Sequence, residues 1–512
     1  MRRDNGHMAT TLSEIITSAR SKKISKEPLL AVALFAIFSI FVLLTTHKYL
    51  EPDDYSYKAA IAALASGHIR LNATQFSTFV NSLTSSGVLP SSVLHGGPAL
   101  RGGGGPGGLF SGHSIGGGGS SGMLQWHKMA TGYYMTEKNY GYVLLATPFY
   151  MIGLLNFAPL FYGGLAAFAL YISASRWLGG RGGLYAVALY LFSGLSITFA
   201  WRSTMETFTD ASLVATGVGL ILWVFLAKER RQRVRLAVGG LGFLALSMAT
   251  FARYTDLVAL LVALVVVMVF AKRSQIERST LVSWYGLVFV AMAGIALFDK
   301  WAYGAFTSTG YSSGVITFSL SSIWPNLTSV VPQVIVALPA SLLALIAIGY
   351  VVSRYLNRRK VSNEELKVTI GRDLAVVMSL SAAWFGFWLV YLAYNWTVNQ
   401  AGASVHVVRF YVPAISFVAL LGAFLLAKAP KVAATLVTVA VMALAFVSFY
   451  HLTGGSNHGL GGGVPRGPFA GGAGSRAFAG QGGQLPGGFP PGGGAGGAGG
   501  GASGAPGGGG LG

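Results

Sequence analysis

Residues 29–72 read LLAVALFAIFSIFVLLTTHKYLEPDDYSYKAAIAALASGHIRLN, and they contain the two features that decide the fold. The first part, 29–46, is largely apolar and uncharged, which is the pattern of a helix that crosses a membrane. Two adjacent carboxylates, Asp53 and Asp54, follow shortly after it. Ionisable groups at a membrane boundary are costly, so this pair is the first candidate for a functional site.

The composition of the whole chain indicates a membrane protein. Hydrophobic residues make up 53% of the 512 residues and charged residues only 10%, against about 25% charged in a typical soluble domain. The mean hydropathy is +0.58. The chain has no cysteine, which excludes disulfides and thiolate chemistry. We therefore predict an all-α polytopic membrane protein.

Apolar runs along the chain predict about eleven transmembrane helices. They are 29–46, 156–176, 183–201, 207–227, 236–252, 257–271, 281–298, 333–353, 374–394, 410–427 and 432–450. The run 143–155 is shorter and contains Pro148, so we expect a re-entrant or interfacial helix there.

The loops between these runs predict the orientation of the chain. Most of the Lys and Arg residues lie in the short segments 1–28, 176–182, 228–235, 272–278, 354–373 and 428–431. The positive-inside rule places those segments in the cytosol. We expect a plasma-membrane protein with a cytosolic amino terminus and an extracytoplasmic Asp53. The net charge of +20 is then a topology signal, and no nucleic-acid partner is expected.

We divide the chain into a basic amino terminus (1–28), a transmembrane domain (29–452) and an external Gly/Pro-rich tail (453–512). The first external loop, 48–141, begins with a helix that we expect to lie at the interface. Its apolar face is predicted from a helical spacing of Tyr57, Ile61, Leu64 and His68. The tail and a Gly-rich insert (96–122) cannot bury a core and are expected to be disordered.

Charged residues are sparse on the outer side, and they suggest a reaction. Carboxylates and cations together at a lipid–water boundary suit the transfer of a group from a lipid phosphate. A carboxylate takes the proton from an acceptor hydroxyl, and fixed cations stabilise the departing phosphate. In sugar transfer, a carboxylate also stabilises positive charge at the anomeric carbon. The charged residues expected there are Asp53, Asp54, Glu137, Lys138, Arg202, Glu206, Asp210, Arg253, Asp256, Asp299, Lys300, His406 and Arg409.

The stretch PDDYSYKAAIAALASGHI (residues 52–69) resembles the first external loop of the GT-C superfamily of polyprenyl-phosphate-sugar glycosyltransferases. That superfamily includes protein O-mannosyltransferases and the aminoarabinose transferases that modify lipid A. Its loop has an acidic pair, a tyrosine three or four residues on, and an alanine-rich helix that ends near a glycine. The matching residues here are Asp53, Asp54, Tyr57 and Gly67.

Three later segments are similar to the same superfamily, in the same order. TEKNYGYVLLATPFYMIG (136–153) resembles its Lys-Pro-Pro stretch, although Asn139 and Tyr140 replace the two prolines. WRSTMETFTDASLVATGVGLILW (201–223) resembles its second external loop, which carries another acid, and RFYVPAISFVALLGAFLLA (409–427) its late Arg/Lys-x-Tyr-x-x-Pro span. The resemblance covers roughly 28–450, without the Gly-rich insert.

The resemblance implies a GT-C-like bundle that transfers a sugar from a polyprenyl phosphate of dolichyl or undecaprenyl type. The acceptor would be a protein, glycolipid or polysaccharide hydroxyl, and single-step displacement would invert the anomeric centre. No cofactor is firmly implied, and a divalent metal, Mg²⁺ or Mn²⁺, is left open because hard oxygen ligands are present. The implied catalytic residues are Asp53, Asp54, Asp210 and Glu206, and the implied donor-phosphate contacts are Lys138 and Arg409. Arg253 is a further candidate for a donor-phosphate contact from its charge and position alone. The candidate substrate-loop residues are Tyr57, Glu137 and His406.

Three alternatives stay open. Arg253 is at least as well explained by a structural ion pair with Asp256. A secondary transporter or lipid flippase also suits eleven spans, but it predicts an internal repeat and ionisable groups near the bilayer midplane. A non-catalytic envelope scaffold would leave the Asp53–Asp54 pair unexplained.

Overall fold

A computed structural model describes residues 26–45, 52–89, 124–202, 204–226, 231–272, 274–306, 317–360, 363–398 and 405–454. The predictions for the Gly-rich insert 96–122, for nearly all of the basic amino terminus 1–28 and for nearly all of the tail 453–512 lie outside these residues.

The described chain is helical apart from one hairpin, which confirms the predicted fold class. The helices are α1 (Glu27–Thr45), α2 (Pro52–Ala65), α3 (Ala73–Ser85), α4 (Tyr140–Met151), α5 (Ala158–Leu178), α6 (Gly180–Leu191), α7 (Gly194–Ala200), α8 (Thr207–Leu226), α9 (Gln232–Ala252), α10 (Leu257–Phe270), α11 (Arg278–Tyr303), α12 (Ile323–Ala337), α13 (Ala340–Leu356), α14 (Glu364–Leu392), α15 (Asn395–Val398), α16 (Val405–Val408), α17 (Ile415–Lys428) and α18 (Lys431–Gly454). Strands β1 (Trp126–Lys128) and β2 (Tyr134–Thr136) pair antiparallel, with Trp126 opposite Thr136.

The protein spans the membrane several times, but the expected count of eleven is not confirmed. Among the described residues, 8 helices are long and apolar enough to cross, or up to 10 if each of two bent pairs is one span. The run 183–201 is bent by 58° between α6 and α7, and the run 333–353 by 100° between α12 and α13. The run 257–271 forms α10, which at 14 residues is about 21 Å long and shorter than a hydrocarbon core of about 30 Å.

The two bends have local causes and meet in space. Pro339 follows Leu338 at the second bend, and a residue before proline is disfavoured in helical conformation. At the first, the Ser193 side chain accepts from the Ser196 amide and starts a new helix. A Cβ on Gly194 would lie 2.8 Å from the Ala337 carbonyl oxygen, so only glycine permits this close approach.

Helix α2 is buried nearly all round, which differs from the predicted interfacial helix with one apolar face. Ala59, Ala63 and Ile61 have no exposed surface, and their small neighbours allow close packing. The helix ends at Ala65 and Gly67 has φ of +81°. His68 therefore lies beyond the helix and is exposed, so it does not extend the predicted face.

A compact layer of the first loop covers α2 and positions the segment that follows it. The Tyr134 amide donates to the Leu71 carbonyl at 2.7 Å, and the Leu71 amide donates back at 3.1 Å. The Phe76 ring of α3 stacks on Tyr134 with centroids 4.5 Å apart. These contacts fix strand β2, and Lys138 follows it by two residues.

Helix α4, the short helix expected from the run 143–155, packs directly on the end of α9. A Cβ on Gly141 would lie 2.3 Å from the Ala252 backbone nitrogen, so the two backbones touch at this glycine. The Asn139 amide donates to the Ala252 carbonyl at 3.1 Å. Arg253 directly follows α9, so Lys138 and Arg253 lie at the same end of that helix.

Candidate functional site

Asp53 lies between two cations that come from distant parts of the chain. One carboxylate oxygen, Oδ1, is 2.9 Å from Lys138 Nζ, and the other, Oδ2, is 2.6 Å from Arg409 Nη1. Asp53 is in the first turn of α2, where the helix dipole favours a negative charge. Lys138 is buried, whereas the side chains of Asp53 and Arg409 remain 16% and 15% exposed. Part of the Asp53 side chain therefore remains accessible to a ligand.

The charges around Asp53 decide its protonation state. Burial alone would raise the pKa of Asp53, but the charges of Lys138 and Arg409 outweigh it and hold the pKa well below its usual range. In this arrangement Asp53 is ionised and a weak base. Any change that takes the two cations away from it makes it a stronger base.

Asp54 points into the protein and makes a different set of contacts. Its Oδ2 is 2.7 Å from Arg202 Nη2, and its Oδ1 accepts a hydrogen bond from the Thr204 hydroxyl. Asp54 and Arg202 are both buried. The pair ties α2 to the segment between α7 and α8, so Asp54 holds the start of α2 in place and has no surface toward a ligand.

Arg253 gathers two acids and one backbone carbonyl. Its Nη2 is 2.9 Å from Glu206 Oε1, and its Nε is 2.9 Å from Asp210 Oδ2. Its Nη1 donates to the Arg409 carbonyl at 3.2 Å. Although burial opposes the charged form, Asp210 and then Glu206 raise the pKa of Arg253 above its ordinary value. Arg253 thus anchors the start of the short helical segment Arg409–Ala414.

The expected ion pair between Arg253 and Asp256 is wrong. Both Asp256 carboxylate oxygens are buried and have no hydrogen-bond partner within the described part of the chain. Arg253 turns instead toward the start of α8. Glu206 directly precedes that helix and Asp210 is in its first turn, four residues later, so both carboxylates face Arg253.

The remaining predicted residues occupy three different settings. Glu137 links Lys138 to a residue near the surface. Its Oε1 is 3.3 Å from Lys138 Nζ, and its Oε2 is 3.1 Å from Nε2 of the half-exposed His127. Tyr57 is buried and packs edge-on against Tyr142, so its ring is part of the interior. His406 is in the short helix α16, and its side chain lies outside the described residues.

The structure brings most of the predicted site residues together. Asp53, Lys138, Glu137 and Arg409 form one charge network, and Arg253 connects it to Glu206 and Asp210 through the Arg409 backbone. Sequence reasoning missed the roles of Arg202, Thr204 and Thr207, whose hydroxyl accepts from Arg253 at 3.1 Å. The only signal for Arg202 was its charge at a span end, and hydroxyl residues there carry no signal.

The carboxylates do not fit a divalent metal. Within the described ranges, no group of three or more His, Cys, Asp and Glu side chains is placed to hold an ion. Mg²⁺ or Mn²⁺ would need oxygens that Asp53 and Asp54 already direct at Lys138, Arg409 and Arg202.

Comparison with known proteins gives structural likenesses only. No protein-family model and no curated protein matches the chain. ArnT from Cupriavidus metallidurans, solved with bound undecaprenyl phosphate, is 12% identical, with a TM-score of 0.41 and coverage of 61% of this chain and 53% of that one. The apo oligosaccharyltransferase of Archaeoglobus fulgidus is 10% identical, with a TM-score of 0.47 and coverage of 82% and 55%.

Both solved structures are GT-C glycosyltransferases, the superfamily that the sequence resembles. The chain spans about half the length of each. Because the TM-scores are below 0.5, no residue role or activity follows from these likenesses.

Proposed function

We propose that the protein is a membrane glycosyltransferase that moves a sugar from a polyprenyl-phosphate donor to an acceptor hydroxyl. The observation that carries the proposal is the position of Asp53 between Lys138 and Arg409 at a partly open site. The motif resemblance of these residues supports it. The reaction would take place on the extracytoplasmic face of the plasma membrane, with a protein, glycolipid or polysaccharide as acceptor.

Donor binding would start with an exchange of anions. The donor phosphate competes with Asp53 for Lys138 and Arg409, since both cations favour a phosphate through charge-assisted hydrogen bonds. When the phosphate takes them, Asp53 loses the charges that depress its pKa and becomes a stronger base. Binding of the donor thus prepares the base for the acceptor.

The chemical step would be a single displacement. Asp53 takes the proton of the acceptor hydroxyl, and the acceptor oxygen forms a bond to the anomeric carbon. The bond from that carbon to the phosphate oxygen breaks, and its electron pair stays on the phosphate. Lys138 and Arg409 stabilise the negative charge that develops there. Attack opposite the leaving phosphate inverts the anomeric centre.

The other acids would act by positioning. Glu206 and Asp210 hold Arg253, and Arg253 holds the backbone carbonyl of Arg409. Asp54 holds the start of α2 through Arg202. Misplacing a reacting group by about 1 Å costs on the order of a hundredfold in rate, so these buried pairs bear on the rate without touching the substrate.

The test is Asp53→Asn in the full chain reconstituted in vesicles. Release of free polyprenyl phosphate is measured from radiolabelled hexose and pentose donors in the presence of a crude acceptor membrane fraction. Loss of the base lowers the rate about 100- to 10,000-fold. Glu365→Gln, at an exposed acid in the first turn of α14, is the matched control and keeps the rate. Near-normal release by Asp53→Asn would refute the assignment of the base.

The same vesicles separate the enzyme from a transporter. An enzyme releases polyprenyl phosphate and leaves the labelled sugar on the acceptor. If the label instead accumulates inside sealed vesicles while still attached to its lipid, the protein is a flippase. If the intact solute accumulates there, the protein is a transporter.

A further inference from the structure

An apolar groove lies between the helices below the candidate site. It has a volume of about 530 Å³ and walls from α8, α10, α14 and α17, including Leu222, Val266, Ala375 and Phe417. Along α10 it extends from Ala259 to Phe270, which is about 17 Å at 1.5 Å per residue. A second groove of about 940 Å³ shares Val266 and Ala375 with it and continues between α10 and α14. A long hydrocarbon chain fits this shape.

The end of the groove away from Asp53 is basic. Arg235 is buried there, and its Nη1 donates to the carbonyls of Ser274 at 2.6 Å and Gln275 at 3.1 Å. Arg372 lines the same end with its side chain 48% exposed.

The acids at this end are already compensated. In the second groove Glu364 pairs with Lys367 at 2.6 Å, which leaves the charge of Arg358 in excess. Asp373 lies 3.4 Å from Lys428 Nζ and 3.8 Å from Arg372 Nη2, so its single charge is shared by two cations. The grooves therefore have an apolar interior and a net positive mouth.

We propose that this groove binds an anionic glycerophospholipid from the membrane leaflet opposite the candidate site. One acyl chain would lie between α10 and α14, with the lipid phosphate at Arg235 and Arg372. The site is independent of the proposed glycosyl transfer.

The charge distribution selects a phospholipid over the tail of a polyprenyl donor. Lys138 and Arg409 are the cations that suit a donor phosphate. They lie near the end of α9, where Arg253 follows it, whereas Arg235 lies in its first turn. A donor held there would bring the apolar end of its chain to the groove mouth. Hydrocarbon gains nothing from Arg235 and Arg372, whereas a phosphate forms charge-assisted hydrogen bonds with them.

The test measures lipid retention by the purified full chain. Native mass spectrometry compares phosphatidylglycerol with phosphatidylcholine of the same chain length, offered as an equal mixture in detergent. Phosphatidylglycerol is expected to be retained and to raise Tm. Arg372→Gln weakens its binding about tenfold. The control Arg181→Gln, at an exposed arginine outside the groove, has no effect.

A second variant tests the apolar part of the groove. Ala375→Trp fills the space shared by both grooves and abolishes retention. Equal retention of the two phospholipids would overturn the proposal, and so would unchanged retention in Ala375→Trp. A third contrary result uses the variant Lys138→Met, which lacks one cation of the candidate donor-phosphate site. Displacement of phosphatidylglycerol from this variant by equimolar undecaprenyl phosphate would show that the groove binds the polyprenyl lipid. None of these readouts depends on sugar transfer, so failure here leaves the proposed function untouched.

Discussion

Burial and the neighbouring cations shift the pKa of Asp53 in opposite directions, and a pH profile of activity can test which of them dominates with and without the donor. In the free protein Lys138 and Arg409 outweigh burial and keep the pKa of Asp53 well below its usual range. Its ion pairs contribute their full stabilisation above the unfolded-state pKa of about 3.9. That contribution is lost only as the pH falls through the lower, folded-state pKa.

We predict that kcat and kcat/KM have different acid limbs. The kcat/KM profile reports the free enzyme and kcat the loaded enzyme. If a donor phosphate binds Lys138 and Arg409, the pKa of Asp53 rises in the loaded enzyme. As the pH is lowered, kcat should therefore fall at a higher pH than kcat/KM does through the protonation of Asp53. Steady-state transfer between about pH 4 and 8 measures both. Superimposable acid limbs would contradict the exchange of anions.

Asp256 and Asp210 are both buried, and we predict that their neutral variants change stability in opposite directions. Asp210 has its cation, Arg253, at 2.9 Å, so Asp210→Asn breaks a buried pair and costs about 3 kcal/mol. The Asp256 oxygens have no partner among the described residues. Burial raises the pKa of Asp256 well above its ordinary value, so folding at pH 7 must protonate this carboxyl at a cost in stability. Asp256→Asn removes that cost with little change of shape and raises Tm. Thermal unfolding of the solubilised full chain at pH 7 measures both, and a drop in Tm for Asp256→Asn would reveal a partner.

At the scale of elements, the contact between α4 and α9 can be tested with a pair of glycines. Gly141→Ala forces a Cβ against the Ala252 backbone. It should cost about 1–3 kcal/mol and displace Lys138 from Asp53. Gly286→Ala, on α11 with nothing within 4 Å, gains helix propensity and keeps or raises Tm. Melting curves and donor turnover of both variants are compared, and equal behaviour would show that the contact does not set the site.

The sequence predicts the existence of the helices better than their course. Apolar runs mark each membrane helix because a span must satisfy its own backbone in lipid. They do not reveal that α6 and α7 are bent by 58° or α12 and α13 by 100°, since hydropathy is similar on both sides of each break. The burial of α2 was also missed, because its small Ala59 and Ala63 can face either lipid headgroups or a close-packed neighbour.

At the scale of the whole molecule, the sequence predicts which residues matter but not how they pair. Asp53 and Arg409 are 356 positions apart, and only their motifs indicated that they would meet. The pairs Asp54–Arg202 and Asp210–Arg253 were not foreseen. Ion pairing depends on how whole helices pack against each other, so the position of a charge at a helix end does not predict which opposite charge it will contact.

Because the chain has no cysteine, its predicted orientation in the membrane can be tested directly by labelling introduced cysteines. Ser77 of α3 and Arg181 of α6 are both exposed. Ser77 lies in the layer that covers α2. Arg181 lies near Trp177, whose indole donates to Asp373 of α14 at 3.0 Å, at the end that carries the basic groove mouth. Positive loops at that end predict that it faces the cytosol.

Single-cysteine variants can therefore report each face without background. In intact cells, a membrane-impermeant maleimide should label Ser77→Cys, whereas Arg181→Cys should react only after permeabilisation. The cysteine-free parent chain controls for other targets, and a permeant maleimide controls for reactivity at both positions. The reverse labelling pattern would place Asp53 on the cytosolic face, and the donor sugar would then have to be presented from the cytosol.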